Sequence, residues 1–157
     1  MTTYGKKHHI FKFLALFIVG FNFYISIETC FRGYSYPAMG LMGAVAFILI
    51  DAINSKISWD IPFAVQAIIG SLIVTLLELI VGIFLLKVFN VRMWDYSNLW
   101  GNYLGLISPL FTFLWFLLSF FCILLSDTIN YYIFNEQPRP FYRSITGKIL
   151  FKLPERY

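Results

Sequence analysis

Long apolar segments alternate with short polar connections along the whole chain. Four segments approach the roughly 20 apolar residues that a helix needs to cross a bilayer, and they lie at about 10–31, 36–53, 61–86 and 103–134. Because lipid offers the backbone no hydrogen bonds, apolar segments of this length predict helices rather than strands. The pattern predicts an all-α integral membrane protein, a bundle of four transmembrane helices.

The connections between these segments are short, so the chain is predicted to be a single polytopic membrane domain over 1–157. Pro138 and Pro140 end the last helix, because two closely spaced prolines interrupt helical backbone. A basic, irregular tail is expected at 138–157. Lys12, near one end of the first segment, is expected to extend its ammonium to the interface.

Composition supports the membrane interpretation. Apolar residues make up 59% of the 157 residues and charged residues 13%, against about 45–50% and about 25% in soluble domains. A chain this short cannot bury so much apolar surface within itself. A soluble enzyme is therefore excluded, and so is disorder, since 20% of the residues are aromatic. Two cysteines are too few for a disulfide scaffold.

The distribution of Lys and Arg predicts the orientation, since these residues concentrate in cytoplasmic loops. With four spans, both termini share a side with the loop that contains Lys56, and both are predicted to be cytoplasmic. That side carries nine basic residues: Lys6, Lys7, Lys12, Lys56, Arg139, Arg143, Lys148, Lys152 and Arg156. The other side carries three: Arg32, Lys87 and Arg92. The chain is thus predicted to be a multi-pass protein of the cell membrane, with the lipid bilayer as its first partner. The basic tail either contacts anionic lipid headgroups or only fixes the topology.

Each predicted helix carries one stripe of small or polar residues at spacings of three and four. Such stripes let helix backbones approach and allow hydroxyls to bond across helices, so the stripes are expected to face one another. Their members are Gly20, Tyr24 and Glu28; Gly40, Gly43, Phe47 and Asp51; Ser71, Thr75, Glu78 and Gly82; and Ser108, Thr112, Trp115, Ser119, Cys122 and Ser126.

Acidic residues within the spans are the best functional candidates. Glu78 lies about eight residues inside the outer end of the third helix, where an ionisable group is costly and usually faces the protein interior or water. It is either a functional carboxyl or a structural one that accepts hydrogen bonds from Tyr and Trp. Glu28 and Arg32 lie at the same outer side, whereas Asp51 and Asp127 are expected to be interfacial at the inner ends.

The outer loop between the third and fourth helices is dense in hydrogen-bonding groups. Trp94 is typical of the interfacial belt. Asp95 and Asn102 add hydrogen-bonding groups that a membrane anchor does not need. One polar cluster on the outer side is therefore predicted. The candidate substrate-binding or ion-binding residues are Glu28, Arg32, Glu78, Trp94, Asp95 and Asn102.

Several kinds of chemistry lack their motifs. The only histidines, His8 and His9, belong to the basic start, and no His, Cys and carboxylate cluster has metal spacing, so no metal or other cofactor is expected. No Gly-rich phosphate loop and no nucleophile–base constellation occurs, so ATP hydrolysis and enzymatic activity are not predicted. Topology accounts for the net charge of +4, which leaves nothing to indicate nucleic-acid binding.

Several motifs resemble those of a family of small bacterial membrane proteins called putative ABC-transporter type IV, or CmpB-like, permeases. Glu28 to Gly33 resembles its E-x-x-x-R-G, and Glu78 with Gly82 its E-x-x-x-G. Further similar elements are the W-D-Y-S at 94–97, the N-x-x-G at 102–105, Trp115 and Asp127. The resemblance covers about residues 10–143. The chain departs from the family at Leu106, where a Gln is usual.

The resemblance implies a membrane-spanning subunit of a transport system with a separate ATPase, an unknown substrate and self-association into a homo-oligomer. Two alternatives stay open. One is a small ion-coupled homo-oligomeric transporter that uses Glu78 or Glu28 as its carboxylate, and the other is a non-transporting scaffold or pore protein.

Overall fold

The computed structural model describes residues 3–156, except for the side chains of residues 3–8 and of Ser55. Lys6, Lys7 and His8 therefore lie outside the described side chains. Four α-helices dominate the described part: α1 (Thr3–Arg32), α2 (Pro37–Lys56), α3 (Phe63–Phe84) and α4 (Pro109–Thr128). Each is long and apolar enough to cross a bilayer, which confirms the four predicted spans.

Two of the spans continue beyond their α-helices as π-helical turns. Leu85–Phe89 extends α3 and Ile129–Ile133 extends α4. The α3 extension ends at Asn90, whose φ of 52° turns the chain into a left-handed conformation. The third apolar run therefore stays helical to Phe89, three residues past the predicted limit.

The prediction that the fourth helix begins near residue 103 is wrong. Residues 103–108 form turns, and α4 begins at Pro109. Proline lacks a backbone N–H, which would have no partner within the helix at this first position. Ser108 caps the helix by accepting a hydrogen bond from the Phe111 amide. Gly101 and Gly105 both have a φ of +68°, a conformation that interrupts any helix upstream.

Helix α2 is the central helix of the bundle. It contacts α1, α3 and α4. In its most apolar stretch of 18 residues 56% of the residues are buried, whereas in the corresponding stretch of α1 only 11% are buried. Close approach to α1 depends on small residues: a Cβ added to Gly20 would lie 2.6 Å from Cβ of Phe47 and 3.0 Å from Cα of Ala44. The stripe on α1 therefore faces α2, as predicted.

Helices α3 and α4 form the second tight pair. The Ser71 hydroxyl donates to the Thr112 carbonyl at 2.7 Å, and the Thr75 and Thr112 hydroxyls lie 3.1 Å apart. Gly70 leaves room for Ser119, whose Oγ would lie 2.6 Å from an added Cβ. Their polar stripes face each other across the interface, which confirms that prediction.

The tail is not irregular as predicted, because it contains a β-hairpin. Strands β1 (Phe141–Arg143) and β2 (Ile149–Lys152) pair antiparallel, and Gly147 supplies the positive φ of the turn between them. Tyr142 of β1 is fully buried, 4.5 Å from Phe63 between ring centroids. The contact of the tail with the start of α3 therefore orders the tail. This contact joins residues far apart in the sequence, so no local sequence pattern predicts it.

The bundle has two distinct ends. We call the end with the α1–α2 turn and residues 90–108 the loop end, and the end with residues 57–62 and the β-hairpin the hairpin end. Lys12 of α1 pairs with Glu136 of the tail at 2.9 Å, so the first part of α1 and the tail both lie at the hairpin end. The assignment of that end to the cytoplasm stays a prediction.

We predict that Gly20→Leu destabilises the bundle, because its side chain would overlap Phe47 and the α2 backbone. Overpacking of this kind costs roughly 1–3 kcal/mol. Thermal unfolding in mild detergent measures the loss. Ile18→Leu, at a position that is 58% exposed on the lipid side of the same helix, is the matched control and is expected to unfold like the wild type. Equal stability of the two variants would contradict the α1–α2 contact.

Candidate functional site

A cleft of about 600 Å³ lies between α1 and α4 at the loop end. These two helices meet through aromatic side chains, such as the rings of Phe23 and Phe121 at 5.3 Å, rather than by close backbone approach. The walls are mostly apolar, and polar groups cluster at one end. We call it the loop-end cleft; its lining includes Tyr24, Ile27, Glu28, Phe31, Arg32, Trp94, Asp95, Tyr96, Phe111, Leu114, Trp115, Leu117, Leu118 and Phe121.

Glu28 and Arg32 form the charged part of this cleft. They lie one helical turn apart, and Nη2 of Arg32 is 2.6 Å from Oε1 of Glu28. Glu28 also accepts a hydrogen bond from the Ser35 hydroxyl. Nη1 of Arg32 donates to the Met93 carbonyl at 3.2 Å, so the pair ties α1 to the start of the loop that covers the cleft.

Glu78 lies beneath the loop and is 1% exposed. Its Oε1 accepts from the Tyr96 hydroxyl at 3.0 Å and its Oε2 from the Trp115 indole at 2.9 Å. Each carboxyl oxygen therefore has a donor, one from the loop and one from α4. This arrangement joins three segments of the chain at one buried group, as expected for a structural carboxyl.

The W-D-Y-S segment alternates between the bundle and the solvent. Trp94 and Tyr96 point inward: the Trp94 indole donates to the Leu106 carbonyl at 2.9 Å, and the Tyr96 ring stacks on Phe111 at 4.1 Å. Asp95 and Ser97 point outward. The alternation places the Tyr96 hydroxyl on Glu78 and leaves Asp95 on the surface of the loop.

Asp95 and Asn102 fix the shape of the loop itself. Asp95 accepts from the Ser97 hydroxyl at 2.5 Å and from the Ser97 backbone amide at 3.0 Å, and these two bonds hold the pKa of the Asp95 carboxyl below its ordinary value. Asn102 donates to the Ser97 carbonyl at 3.0 Å and accepts from the Gly105 amide at 3.1 Å. At Gly105 a Cβ would meet Arg92, Ser97 and Asp95, which together with its positive φ makes glycine necessary there.

The structure brings four of the six candidate residues to the loop-end cleft: Glu28, Arg32, Trp94 and Asp95. Glu78 lies next to it and connects to it through Tyr96 and Trp115. Asn102 does not line it. Tyr96 and Trp115 are not among the six predicted candidates, although the position of Trp115 in the polar stripe on α4 is a signal for it.

Burial also raises the pKa of the Tyr96 hydroxyl well above its ordinary range, with the Glu78 charge as a further cause. The hydroxyl therefore stays protonated and remains a donor to Glu78.

In the described part of the chain, no group of three or more His, Cys, Asp or Glu side chains is arranged to hold a metal ion. Cys30 and Cys122 are free thiols.

Comparison with known families decides the assignment. The family model described as Putative ABC-transporter type IV matches residues 19–152. The chain belongs to this family. No curated protein matches the chain, and no solved structure matches it either.

Membership in the Putative ABC-transporter type IV family gives the motif residues a structural meaning. The matched region contains all four spans and the hairpin, and the family description is that of a transporter-type membrane protein. Gly82, the glycine of the segment that resembles the family's E-x-x-x-G, makes room for Leu106, whose side chain would lie 2.7 Å from an added Cβ. Leu106, at which the sequence departs from that resemblance, therefore packs directly against Gly82.

We predict that Tyr96→Phe and Glu78→Leu are coupled in stability, because Tyr96→Phe removes the donor and Glu78→Leu the acceptor of the same hydrogen bond. Hydrogen bonds between helices in bilayers contribute about 0.6 kcal/mol on average and up to about 1.7 kcal/mol. A double-mutant cycle on unfolding in mixed micelles measures the coupling. Tyr103→Phe, at an exposed loop residue, is the control partner and is expected to show none.

The depressed pKa of Asp95 predicts an acid-sensitive loop. The pKa of Asp95 is lower in the folded state than in the unfolded state, where it is about 3.9. Ionised Asp95 therefore stabilises the folded loop at any pH above the unfolded pKa. This stabilisation is lost as the pH falls through the folded pKa. Amide hydrogen exchange at Ser97 is therefore expected to accelerate below about pH 4 relative to Asp95→Asn, after correction for intrinsic rates. Equal pH profiles would contradict the assignment.

Proposed function

We propose that the chain is the membrane-spanning subunit of a transport system in the cell membrane, driven by a separate ATPase, and that the cargo binds in the loop-end cleft. The observation that carries the proposal is the cleft itself, which leaves about 600 Å³ between two membrane-spanning helices of a transporter-type family member. Cavities of roughly 300–1,000 Å³ with a few convergent polar groups are typical ligand sites.

The walls of the cleft favour a cargo with an apolar part and a polar group. Phe111, Leu114, Leu118 and Phe121 supply an apolar wall from α4. Arg32 supplies donors at the loop end, and its Nε has no hydrogen-bond partner among the described residues. A polar headgroup that accepts hydrogen bonds from Arg32, with its apolar portion along α4, satisfies both surfaces.

The ATPase is proposed to meet the hairpin end. No phosphate-binding loop occurs in the 157 residues, so this interpretation needs a second protein to hydrolyse ATP. The hairpin projects an ordered surface there, and Lys148, Leu150 and Lys152 are exposed on it. Self-association of the chain is part of the proposal, because four helices enclose a narrow path and α1 is the least buried span.

The ion-coupled alternative has less support at Glu78. Both oxygens of this carboxyl already accept hydrogen bonds from Tyr96 and Trp115, so exchange of a proton or ion there would break the link between the loop and α4. A scaffold without transport would have no need of the cleft. The loop-end cleft therefore favours the transport-subunit proposal over both alternatives.

Co-purification tests the subunit assignment. The tagged chain, extracted from its native membrane in mild detergent, is expected to bring down an ATP-binding protein in stoichiometric amount. Removal of residues 144–148 from the hairpin turn is expected to reduce that recovery at least about tenfold, a change of about 1.4 kcal/mol. Recovery of the chain as a homo-oligomer alone, with no nucleotide-binding partner, would contradict the proposal.

A space-filling substitution tests the cleft independently of any ATPase. Leu114→Trp is expected to fill part of the cleft and weaken saturable binding of a dansyl-labelled fatty acid at least about tenfold. Leu110→Trp is the matched control, because Leu110 lies on the same helix and is exposed outside the cleft. Equal binding in both variants would exclude the cleft as the site for this class of ligand.

A further inference from the structure

A second polar cavity lies at the hairpin end, between the ends of α2 and α4 and the tail. Its volume is about 360 Å³. We call it the hairpin-end cavity; its lining includes Asp51, Asn54, Trp59, Asp127, Asn130, Tyr131, Glu136, Gln137, Pro138 and Pro140. We propose that it binds a monovalent metal cation through oxygen atoms of Asp127, Asn130 and Asp51.

Asp127 is the central residue of the proposed site. It is 3% exposed, and none of the ion pairs between described Lys or Arg side chains and carboxylates involves it. The Asn54 amide and the Tyr142 hydroxyl both donate to its Oδ2, each at 2.8 Å. Two neutral donors on one oxygen do not supply a counterion for the ionised form of this buried group.

Asn130 gives independent support for a cation site in this cavity. Its amide nitrogen donates to Oδ1 of Asp51 at 2.5 Å, which fixes the orientation of the side chain. Its carbonyl oxygen, Oδ1, is buried and has no hydrogen-bond partner in the described structure, and the residue is 9% exposed. Buried carbonyl oxygens without a donor are rare, and a bound cation would satisfy this one.

Lys12 shows that the cavity attracts positive charge. Its ammonium lies 3.5 Å from Oδ2 of Asp51 and 2.9 Å from Oε1 of Glu136. Asp51 and Asp127, predicted to lie at the interface, are both buried within the protein at the hairpin end. The cavity lining holds three carboxylates, and Lys12 forms ion pairs with two of them.

The donor set favours a singly charged metal ion. Carboxylate and amide oxygens are hard ligands, which suit cations that bind oxygen rather than thiolate or imidazole. The described residues contain no group of three or more His, Cys, Asp or Glu arranged to hold a metal ion, so the dense negative charge of a divalent site is lacking. A monovalent ion neutralises Asp127 and coordinates Asn130, and water completes its shell.

The inference does not depend on the proposed transport function. The hairpin-end cavity lies at the opposite end of the bundle from the loop-end cleft and shares no lining residue with it. Spacing in the sequence contained a signal for it, since Asp51 with Asn54 and Asp127 with Asn130 are both three residues apart on one helix face.

Cation-dependent thermal stability of the purified full chain tests the proposal. Sodium or potassium chloride replaces choline chloride at constant ionic strength and constant pH. The unfolding temperature is expected to rise and saturate with one of the two ions. Asp127→Asn is expected to raise the apparent dissociation constant at least about tenfold, while Asp60→Asn, at an exposed acidic residue of the same end, leaves it unchanged.

Two further variants keep the test decisive if Asp127→Asn does not fold. Asn130→Ala removes a neutral ligand and is expected to weaken cation binding, whereas Lys12→Met removes a competing charge and is expected to tighten it. Direct binding of radioactive sodium and of rubidium, as a tracer for potassium, is measured on the wild type. Stability and binding that respond to neither ion, or that follow pH alone, would overturn the proposal and indicate a protonated carboxyl instead.

Discussion

Hydrocarbon supplies no hydrogen bonds, so every polar group that these helices carry into the bilayer needs a partner within the protein. The contacts of Glu78 show how strictly the chain meets this constraint: two donors, from Tyr96 of the loop and Trp115 of α4, occupy its two oxygens. Because Tyr96 can reach Glu78 only when the loop folds back over the bundle, the position of the loop, the start of α4 and the shape of the loop-end cleft follow from that pairing.

The same constraint separates the molecule into two polar ends and an apolar lipid-facing surface. At the loop end the Glu28–Arg32 pair faces the cleft beside mostly apolar walls, an arrangement suited to an amphipathic ligand. At the hairpin end the pairing is incomplete, because Asp127 lacks a described cationic partner and one oxygen of Asn130 lacks a donor. Central α2, which contacts the other three helices, connects the two ends physically.

Much of the fold could be predicted from hydrophobic length and from three- and four-residue spacing. The four spans and the facing stripes of α3 and α4 follow from such local signals. The start of α4 at Pro109 and the hairpin could not, since the first depends on the folded loop and the second on burial of Tyr142 against Phe63. For the candidate site, the sequence indicated the cluster around Glu28 and Arg32, whereas the hydrogen bonds of Asn102 within the loop depend on the loop's folded shape and have no local signal.

We expect the two polar ends to lie on opposite sides of one membrane, with the hairpin end in the cytoplasm. Labelling single cysteines with a membrane-impermeant maleimide tests it most directly, in a background where Cys30 and Cys122 are replaced by serine. On intact cells, Asn98→Cys is expected to react at once, and Thr146→Cys only after the membrane is opened. Reaction of both in intact cells, or of Thr146→Cys first, would contradict the account.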